Sequence, residues 1–238
     1  SGFAPLEGIT GGYMEERIKV TVLFGGQSSE HEVSRVSAQC VLENIDKERF
    51  DIQTIGITKN GEWLKYDGDI KLIGTGDWEQ TARKKLSEAG PSVPGSGESP
   101  IPTCMDLVSF KDNKGRSEKV DVVFPVLHGP NGEDGSVQGL LQLADVPYVG
   151  CNILASAAGM DKEFSKLVFD NAGIPQADYI KVMRGEIGGA IPFLIEKVTE
   201  KLGWPCFVKP ANAGSSVGIS KVKKPEDLEE ALNFAAQY

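Results

Sequence analysis

The chain has 238 residues, of which 40% are hydrophobic and 25% charged, as in an ordinary globular protein of one or two domains. Its formal net charge of -9 argues against nucleic-acid binding and against an anionic membrane surface, because both need a basic face. No apolar run approaches the roughly 20 residues that span a bilayer. We therefore expect a cytoplasmic protein without nucleic-acid or membrane partners.

Cysteine usage and the N-terminal residues fit that compartment. No two of the four cysteines form a C-x-x-C pair, so we expect reduced, mostly buried thiols rather than a zinc or redox site; they are Cys40, Cys104, Cys151 and Cys206. Residues 1–13 lack the basic and apolar regions of a signal peptide. Met14 with the acidic residues after it is typical of a native start, so residues 1–14 are predicted to be a cloning remnant or disordered.

The first predicted unit is a strand, a glycine turn and a helix. Residues 19–24 are β-branched and apolar, as in a buried parallel strand, and Gly25-Gly26 follows them. Ser29 and Glu32 have the spacing of a capping box, which predicts the start of a helix. Its apolar positions recur at helical spacing, at Val33, Val36, Cys40 and Val41.

Further strands and helices follow in alternation. A strand is predicted at 50–58, and Asn60-Gly61 predicts a hairpin that returns through 62–64. Residues 89–103 are rich in Pro, Gly and Ser and predict an exposed loop. A buried strand at 120–127 precedes a helix with apolar Val137, Leu140, Leu141 and Ala144. This alternation predicts an α/β protein with a parallel sheet and helices on its faces.

The pattern changes near Asp161. An amphipathic helix is predicted from the stripe Phe164, Leu167 and Val168, and a strand at 178–183. A further helix ends at Gly203, strands at 205–209 and 218–222 form a hairpin, and Pro225 opens a last helix.

In open α/β sheets, ligands bind beyond the carboxyl ends of the strands. Two of the polar loops that follow predicted strands lie at such ends and contain glycine beside acids and histidine. In the first loop, residues 25–31, glycine lets the backbone approach a ligand, although a tight turn with a helix cap would have the same composition. The second loop, residues 128–135, holds a histidine and two carboxylates between glycines. It could bind an amino acid or be a solvated surface loop.

The third loop, residues 209–218, combines a lysine with the run Gly-Ser-Ser-Val-Gly. Lysine supplies a point charge for phosphate, and the run supplies N–H and hydroxyl donors, although a plain hairpin turn is the alternative. The run also matches G-x-S-x-G, the nucleophile elbow of α/β-hydrolases. That motif needs a helix next and a histidine later, whereas both histidines of the chain precede it.

Four blocks in one order and at compatible spacing make the chain resemble the D-alanine–D-alanine ligase family of ATP-grasp enzymes. They are VLFGGQSSEHEVS (22–34), VFPVLHGPNGEDGSVQG (123–139), VGCNILASAAGMDKEFSK (149–166) and FVKPANAGSSVGISKV (207–222). The resemblance runs from Ile18 to the end and is weakest at 67–116. It implies a Rossmann-like, pre-ATP-grasp N-terminal domain at 15–160 and an incomplete α+β ATP-grasp subdomain at 161–238.

The resemblance also implies roles for residues at the first substrate. Glu30 would hold the ammonium of the first D-alanine, and Ser215 would belong to a hydrogen-bonded trio that orients Glu30. His128 would lie beside the carboxylate of that substrate, supported by Glu133.

For ATP, the resemblance implies that Lys162 and Lys209 grip the phosphates and that Ser216 closes over them. Mg²⁺ would be the second cofactor; its ligands are expected beyond Tyr238, and none within this chain. The implied reaction joins two D-alanines through an acyl phosphate for peptidoglycan, in a homodimer, and the 238 residues alone are expected to be inactive. Alternatives are a D-Ala–D-Ser or D-Ala–D-lactate ligase of vancomycin resistance, or a non-catalytic binding fragment.

Overall fold

The computed structural model describes residues 17–88, 109–111 and 117–238. The predictions for residues 1–14, the loop at 89–103 and Cys104 lie outside these ranges. Within them the elements in chain order are β1 (Ile18–Gly25), α1 (His31–Asn44), β2 (Phe50–Ile57), β3 (Trp63–Tyr66), α2 (Lys71–Thr75), α3 (Trp78–Glu88), β4 (Ser109–Lys111), β5 (Ser117–Lys119), β6 (Val122–Pro125), α4 (Ser136–Leu143), α5 (Ile153–Met160), α6 (Lys162–Asn171), α7 (Ile191–Lys201), β7 (Cys206–Val208), β8 (Ser220–Val222) and α8 (Leu228–Ala235).

A four-stranded sheet with the order β3-β2-β1-β6 forms the centre of the first half. β1 is parallel to both β2 and β6, which confirms the predicted parallel strands, and β3 closes the predicted hairpin antiparallel to β2. Leu23 of β1 pairs with Pro125 of β6, so the two strands end side by side. The first and second loops therefore leave the sheet at the same edge.

Apolar residues cover both faces of this sheet. Alternation along β1 sends Val22 and Phe24 to one face, with α1 and Trp78, and Leu23 to the other, with α4. Trp78 is almost completely buried and meets the Phe24 ring edge-on at 4.8 Å between centroids. Burying one such large side chain stabilises the folded state by on the order of 1.5–3 kcal/mol. The apolar residues on the two faces therefore stabilise the sheet edge from which the loops leave.

The helix α1 confirms the predicted helix but not its predicted face. Its buried side chains are His31, Ser34, Ala38 and Leu42, whereas Val33 and Val36 are 49% and 60% exposed. The predicted capping box is also wrong. The helix begins at His31 and has no side-chain cap, and it is Ser28, not Ser29, whose hydroxyl accepts the N–H of Glu30. The buried face therefore combines polar residues at the sheet edge with Ala38 and Leu42, which pack in the same apolar cluster as Phe24.

The second half contains the predicted helices α6, α7 and α8 and the predicted hairpin of β7 and β8. The strand predicted at 178–183 is wrong, because this segment pairs with no described strand. Its alternation is nevertheless real. Ile180 and Val182 pack against the cluster around Leu194, while Lys181 points outward to Glu163. Alternation alone predicted burial here but could not supply a partner strand.

Several apolar and sulfur side chains are more exposed than expected. Cys40 and Cys151 are exposed and Cys206 is half-buried, so the expectation of mostly buried thiols is wrong for the first two; all three are free. The stripe Phe164, Leu167 and Val168 of α6 is exposed as well. Within the described ranges, none of the helices has the length and apolar character required to cross a bilayer.

Candidate substrate and nucleotide site

Serine side chains join the first loop to the second at the shared sheet edge. The hydroxyl of Ser28 donates to the carbonyl of His128 at 2.7 Å and accepts the N–H of Glu30 at 3.1 Å. Ser34, completely buried on α1, donates to the carbonyl of Val126 and accepts the N–H of Gly25 at 2.8 Å. Because both serines bridge the ends of β1 and β6, the two loops are fixed against each other.

Glu30 is a buried acid between two glycines of other loops. Its side chain and backbone together are only 6% exposed. A methyl group added at Gly129 would lie 2.8 Å from Oε2 of Glu30, and one added at Gly214 would lie 3.0 Å from Oε1. Among the described residues, none donates a hydrogen bond or offers a cation to this carboxylate. A carboxylate that is largely removed from water is stabilised by a donor or a cation, so Glu30 is placed to receive one from a ligand.

The two ring nitrogens of His128 face side chains on opposite sides. Its Nε2 lies 3.2 Å from Oγ of Ser37 on α1, and its Nδ1 lies 3.6 Å from Oε1 of Glu133. The other oxygen of Glu133 accepts the N–H of Gly129 at 2.7 Å. The predicted proximity of His128 and Glu133 is therefore present, and the half-buried imidazole has a defined orientation.

Hydrogen bonds within the second loop fix its shape. The carboxylate of Asp134 accepts the backbone N–H groups of Asn131 and Ser136 at 2.8 and 3.0 Å. Burial opposes ionisation of Asp134, but these hydrogen bonds outweigh it, so its pKa is lowered. From α4, the buried Gln138 donates to the carbonyl of Gly132 at 2.9 Å.

Lys162 ties the start of α6 to the third loop. Its backbone N–H donates to Ala211 at 3.0 Å, and its ammonium donates to the carbonyl of Ala213 at 2.5 Å. Partial burial and the positive charge of Lys209 lower the pKa of Lys162, although Asp161 opposes the shift. The two lysines predicted to bind phosphates therefore share one electrostatic environment. Such an environment favours an anion.

The serines of the third loop sit on a left-handed turn. Ser215 and Ser216 have φ of 44° and 62°, and the N–H of Val217 donates to the carbonyl of Gly214 at 3.0 Å. Both side chains are exposed, and the described hydrogen bonds of Ser215 do not include Glu30; its neighbour Gly214 makes the close approach instead. β8, not a helix, follows this turn, which excludes the nucleophile elbow.

A cleft of about 620 Å³ opens beside these loops. Its lining comes from the second loop, α5, the start of α6 and the third loop, and includes Asp134, Met160, Asp161 and Asn212. None of the seven predicted site residues lines it directly. Because Asp161 precedes Lys162 and Asn212 lies in the third loop, the cleft borders the lysine pair. No three His, Cys, Asp or Glu side chains cluster as metal ligands in the part of the chain that the structure describes.

Three serines organise the site, and sequence reasoning placed Ser28 in the first loop but missed Ser34 and Ser37. Ser34 and Ser37 lie one helical turn apart and face the sheet edge, where an apolar pattern search does not look. Small polar residues at a spacing of three directly after a glycine turn are a usable signal. Their partners, however, depend on the register of β1 against β6.

Sequence comparison accounts for nearly all of the described chain. The family described as D-ala D-ala ligase N-terminus matches residues 19–151. The chain belongs to the D-alanine–D-alanine ligase family. The family described as D-ala D-ala ligase C-terminus matches residues 168–238. The three loops described above fall within these two matches.

Similar curated proteins carry the name D-alanine--D-alanine ligase. The chain is 51% identical to the protein from Ruminiclostridium cellulolyticum over 223 residues, covering 92% of this chain and 58% of that protein. It is 50% identical to the protein from Acetivibrio thermocellus over 234 residues, covering 94% and 60%. The chain therefore spans about three-fifths of the length of these relatives.

Solved structures of the family share the fold. The VanG D-Ala:D-Ser ligase from Enterococcus faecalis superposes with a TM-score of 0.72 at 35% identity, covering 94% of this chain and 60% of that one. The D-alanine-D-alanine ligase from Coxiella burnetii superposes with a TM-score of 0.73 at 30% identity, covering 93% and 61%. The α/β fold with a truncated ATP-grasp part, expected from the sequence, is thereby confirmed.

Proposed function

We propose that this chain supplies the first-substrate site and part of the nucleotide site of an ATP-dependent ligase that joins two D-alanines for peptidoglycan. The observation that carries the proposal is the buried carboxylate of Glu30, which has no donor or cation among the described residues and lies between Gly129 and Gly214. The two glycines let the second and third loops approach Glu30 closely, and the ammonium of a ligand supplies the missing charge. The α-ammonium of a D-amino acid meets this requirement.

The first D-alanine binds between the first two loops. Its ammonium pairs with Glu30, and its carboxylate lies beside His128, in a loop that Glu133 fixes by accepting the N–H of Gly129. Ser215 belongs to the same site because it directly follows Gly214, which approaches Glu30. These residues bind and position the substrate; none of them acts as a nucleophile.

ATP binds across the cleft beside the third loop. Lys162 and Lys209 neutralise its phosphates, and the lowered pKa of Lys162 marks an environment that an anion relieves. Ser216, exposed on the left-handed turn, closes over the triphosphate. Phosphoryl transfer depends on positioning and charge neutralisation, so such residues suffice to prepare the substrate carboxylate for activation as an acyl phosphate. Mg²⁺ would add charge neutralisation, with ligands outside the described residues.

The second substrate is D-alanine in this proposal. The curated relatives at 51% and 50% identity are named D-alanine--D-alanine ligases, whereas the named D-Ala:D-Ser ligase is 35% identical. D-serine remains the second candidate because of that structural match, and D-lactate and a non-catalytic binding fragment are further alternatives.

The setting of the site is proposed in the same way. The N-terminal ligase domain covers residues 15–160, and the ATP-grasp subdomain begins at 161. The protein acts in the cytoplasm as a homodimer. The 238-residue chain alone does not catalyse the ligation, because about two-fifths of the length of the relatives lies outside the match.

Phosphate release tests the proposal. The full-length protein is incubated with MgATP and either D-alanine, D-serine plus D-alanine, or D-lactate plus D-alanine, and phosphate and dipeptide are measured. We expect D-alanine alone to give D-alanyl-D-alanine, and the 238-residue chain to release no phosphate above a no-enzyme control. Phosphate release without any D-alanine dependence would contradict the proposal, and a preference for D-serine or D-lactate would replace the second substrate.

A further inference from the structure

The imidazole of His128 contacts a residue that neither the family motifs nor the sequence analysis singled out. Oγ of Ser37 lies 3.2 Å from Nε2 of His128, within hydrogen-bond distance. This is the only side-chain hydrogen bond that Ser37 makes with the described residues. Because Ser34, one turn earlier, is bonded to Val126 and Gly25, the helix presents Ser37 to the second loop from a fixed position.

The opposite side of the ring faces a carboxylate at a longer distance. Nδ1 of His128 lies 3.6 Å from Oε1 of Glu133, which attracts a proton but is too far for a hydrogen bond. Glu133 cannot easily close this gap, since its other oxygen accepts the N–H of Gly129 at 2.7 Å. In a neutral imidazole one nitrogen donates and the other accepts. At 3.6 Å the carboxylate adds only a weak preference for the proton on Nδ1, so the tautomer depends on whether the hydroxyl of Ser37 donates to Nε2.

We infer that Ser37 is a positioning residue: its hydroxyl donates to Nε2 of His128 and holds the neutral imidazole as the Nδ1–H tautomer. Nδ1–H, which has no hydrogen-bond acceptor among the described residues, is then the donor that meets the carboxylate of the first substrate. The last point rests on the proposed function. The tautomer itself is a property of this chain and can be measured without substrate.

The chain contains only two histidines, which makes the tautomer measurable by NMR. Long-range ¹H–¹⁵N correlation spectra of the ¹⁵N-labelled chain distinguish the two tautomers of each imidazole at a pH where both rings are neutral. His31 is an internal reference, because its Nδ1 lies 2.7 Å from the carbonyl of Gly26 and must donate to it. Ser37→Ala removes the hydroxyl, and Ser37→Thr keeps it.

We expect the wild-type chain and Ser37→Thr to show His128 mainly as Nδ1–H. In Ser37→Ala the major tautomer should switch to Nε2–H, the usual form of a solvated imidazole, while the His31 signals stay in place. A wild-type His128 that is mainly Nε2–H would overturn the inference, whether or not the alanine variant folds. An unchanged His128 tautomer in a Ser37→Ala chain with native His31 signals would overturn it as well.

A D-alanine titration of the full-length protein separates this inference from the proposed function. D-alanine should shift the Nδ1 resonance of His128 in the wild type, and the shift should be lost in Ser37→Ala. If His128 is Nδ1–H but D-alanine leaves its resonance unmoved, the tautomer assignment stands and the substrate role of His128 fails.

Discussion

Oε1 of Glu30 and the Cα of Gly214 approach so closely that a methyl group on Gly214 would lie 3.0 Å from that oxygen. Glu30 lies in the first half of the chain, in the loop between β1 and α1, and Gly214 lies in the second half, in the turn between β7 and β8. Their contact joins the candidate substrate loop to the candidate nucleotide loop.

Gly129→Ala should destabilise the chain more than Gly173→Ala. The two glycines have nearly the same φ, +72° and +68°, so each variant meets the cost of a left-handed alanine, about 1–2 kcal/mol. At Gly173 the added methyl meets open space, whereas at Gly129 it would lie 2.8 Å from Oε2 of Glu30 and 3.2 Å from the Cβ of Ser28. Overpacking should add about 1–3 kcal/mol, or the carboxylate must move.

Urea unfolding measures this difference, and D-alanine binding by the full-length protein detects a displaced Glu30. Equal unfolding midpoints for the two variants, together with unchanged D-alanine affinity, would count against the close approach of Gly129 and Glu30.

Ser34→Ala should lower the free energy of unfolding by about 1–3 kcal/mol. The substitution leaves the buried N–H of Gly25 and the buried carbonyl of Val126 without the hydroxyl that satisfies both. Urea denaturation of the variant measures the loss. Ser29→Ala, at an exposed position of the same loop, is the control and should change the midpoint little. If both variants unfold at the same urea concentration, Ser34 does not join the two loops.

Lys209→Ala should raise the pKa of Lys162. Burial lowers that pKa and is unaffected by the change, but the positive charge of Lys209, which lowers it further, disappears. An NMR titration of ¹³C-methylated lysines follows Lys162 directly, and Lys223→Ala, another exposed lysine, is the control. If Lys162 titrates at the same pH in the wild type and in Lys209→Ala, the two lysines do not interact, which would contradict a common phosphate site.

Asp134→Asn should destabilise the chain at neutral pH and have little effect in acid. A carboxyl whose pKa is lowered on folding stabilises the fold above its unfolded value, near 3.8, and loses this contribution as the pH falls through the lower folded value. An asparagine side chain can accept only one of the two N–H groups, which costs about 1 kcal/mol. Urea unfolding at neutral and at acidic pH measures the difference in the free energy of unfolding between the variant and the wild type in both ranges.

Asp178→Asn, at an exposed position, is the matched control for this pH series. A difference between Asp134→Asn and wild type that stays constant down to the most acidic pH would show that ionisation of Asp134 does not hold the second loop.

The sequence predicted the sheet and the loops because their signals are local. β-branched runs and glycine turns mark β1, β2 and β6, and parallel pairing then brings their carboxyl ends together. It missed the face of α1, where Ser34 is buried by hydrogen bonds while Val36 is exposed. It also predicted a strand at 178–183, since alternation reports burial but not the partner that a strand requires.

The sequence likewise predicted some features of the candidate site and missed others. Motif resemblance singled out Glu30 and His128, which lie in glycine-containing loops after strands, and Lys162, which begins α6. The contact of Glu30 with Gly214, and that of His128 with Ser37, depend on distances between segments far apart in the chain. No spacing pattern in a single sequence contains that information.

The central claim is that the buried carboxylate of Glu30 receives the ammonium of the first D-alanine, and calorimetric binding of D-alanine to full-length Glu30→Gln tests it most directly. Its control is Glu32→Gln, which removes a carboxylate two residues away that pairs with Lys59 on the surface. We expect Glu32→Gln to bind D-alanine as the wild type does and Glu30→Gln to bind it more weakly by about 1.5–3 kcal/mol, the range for a hydrogen bond to a charged group. Equal affinity of the two variants would contradict the account.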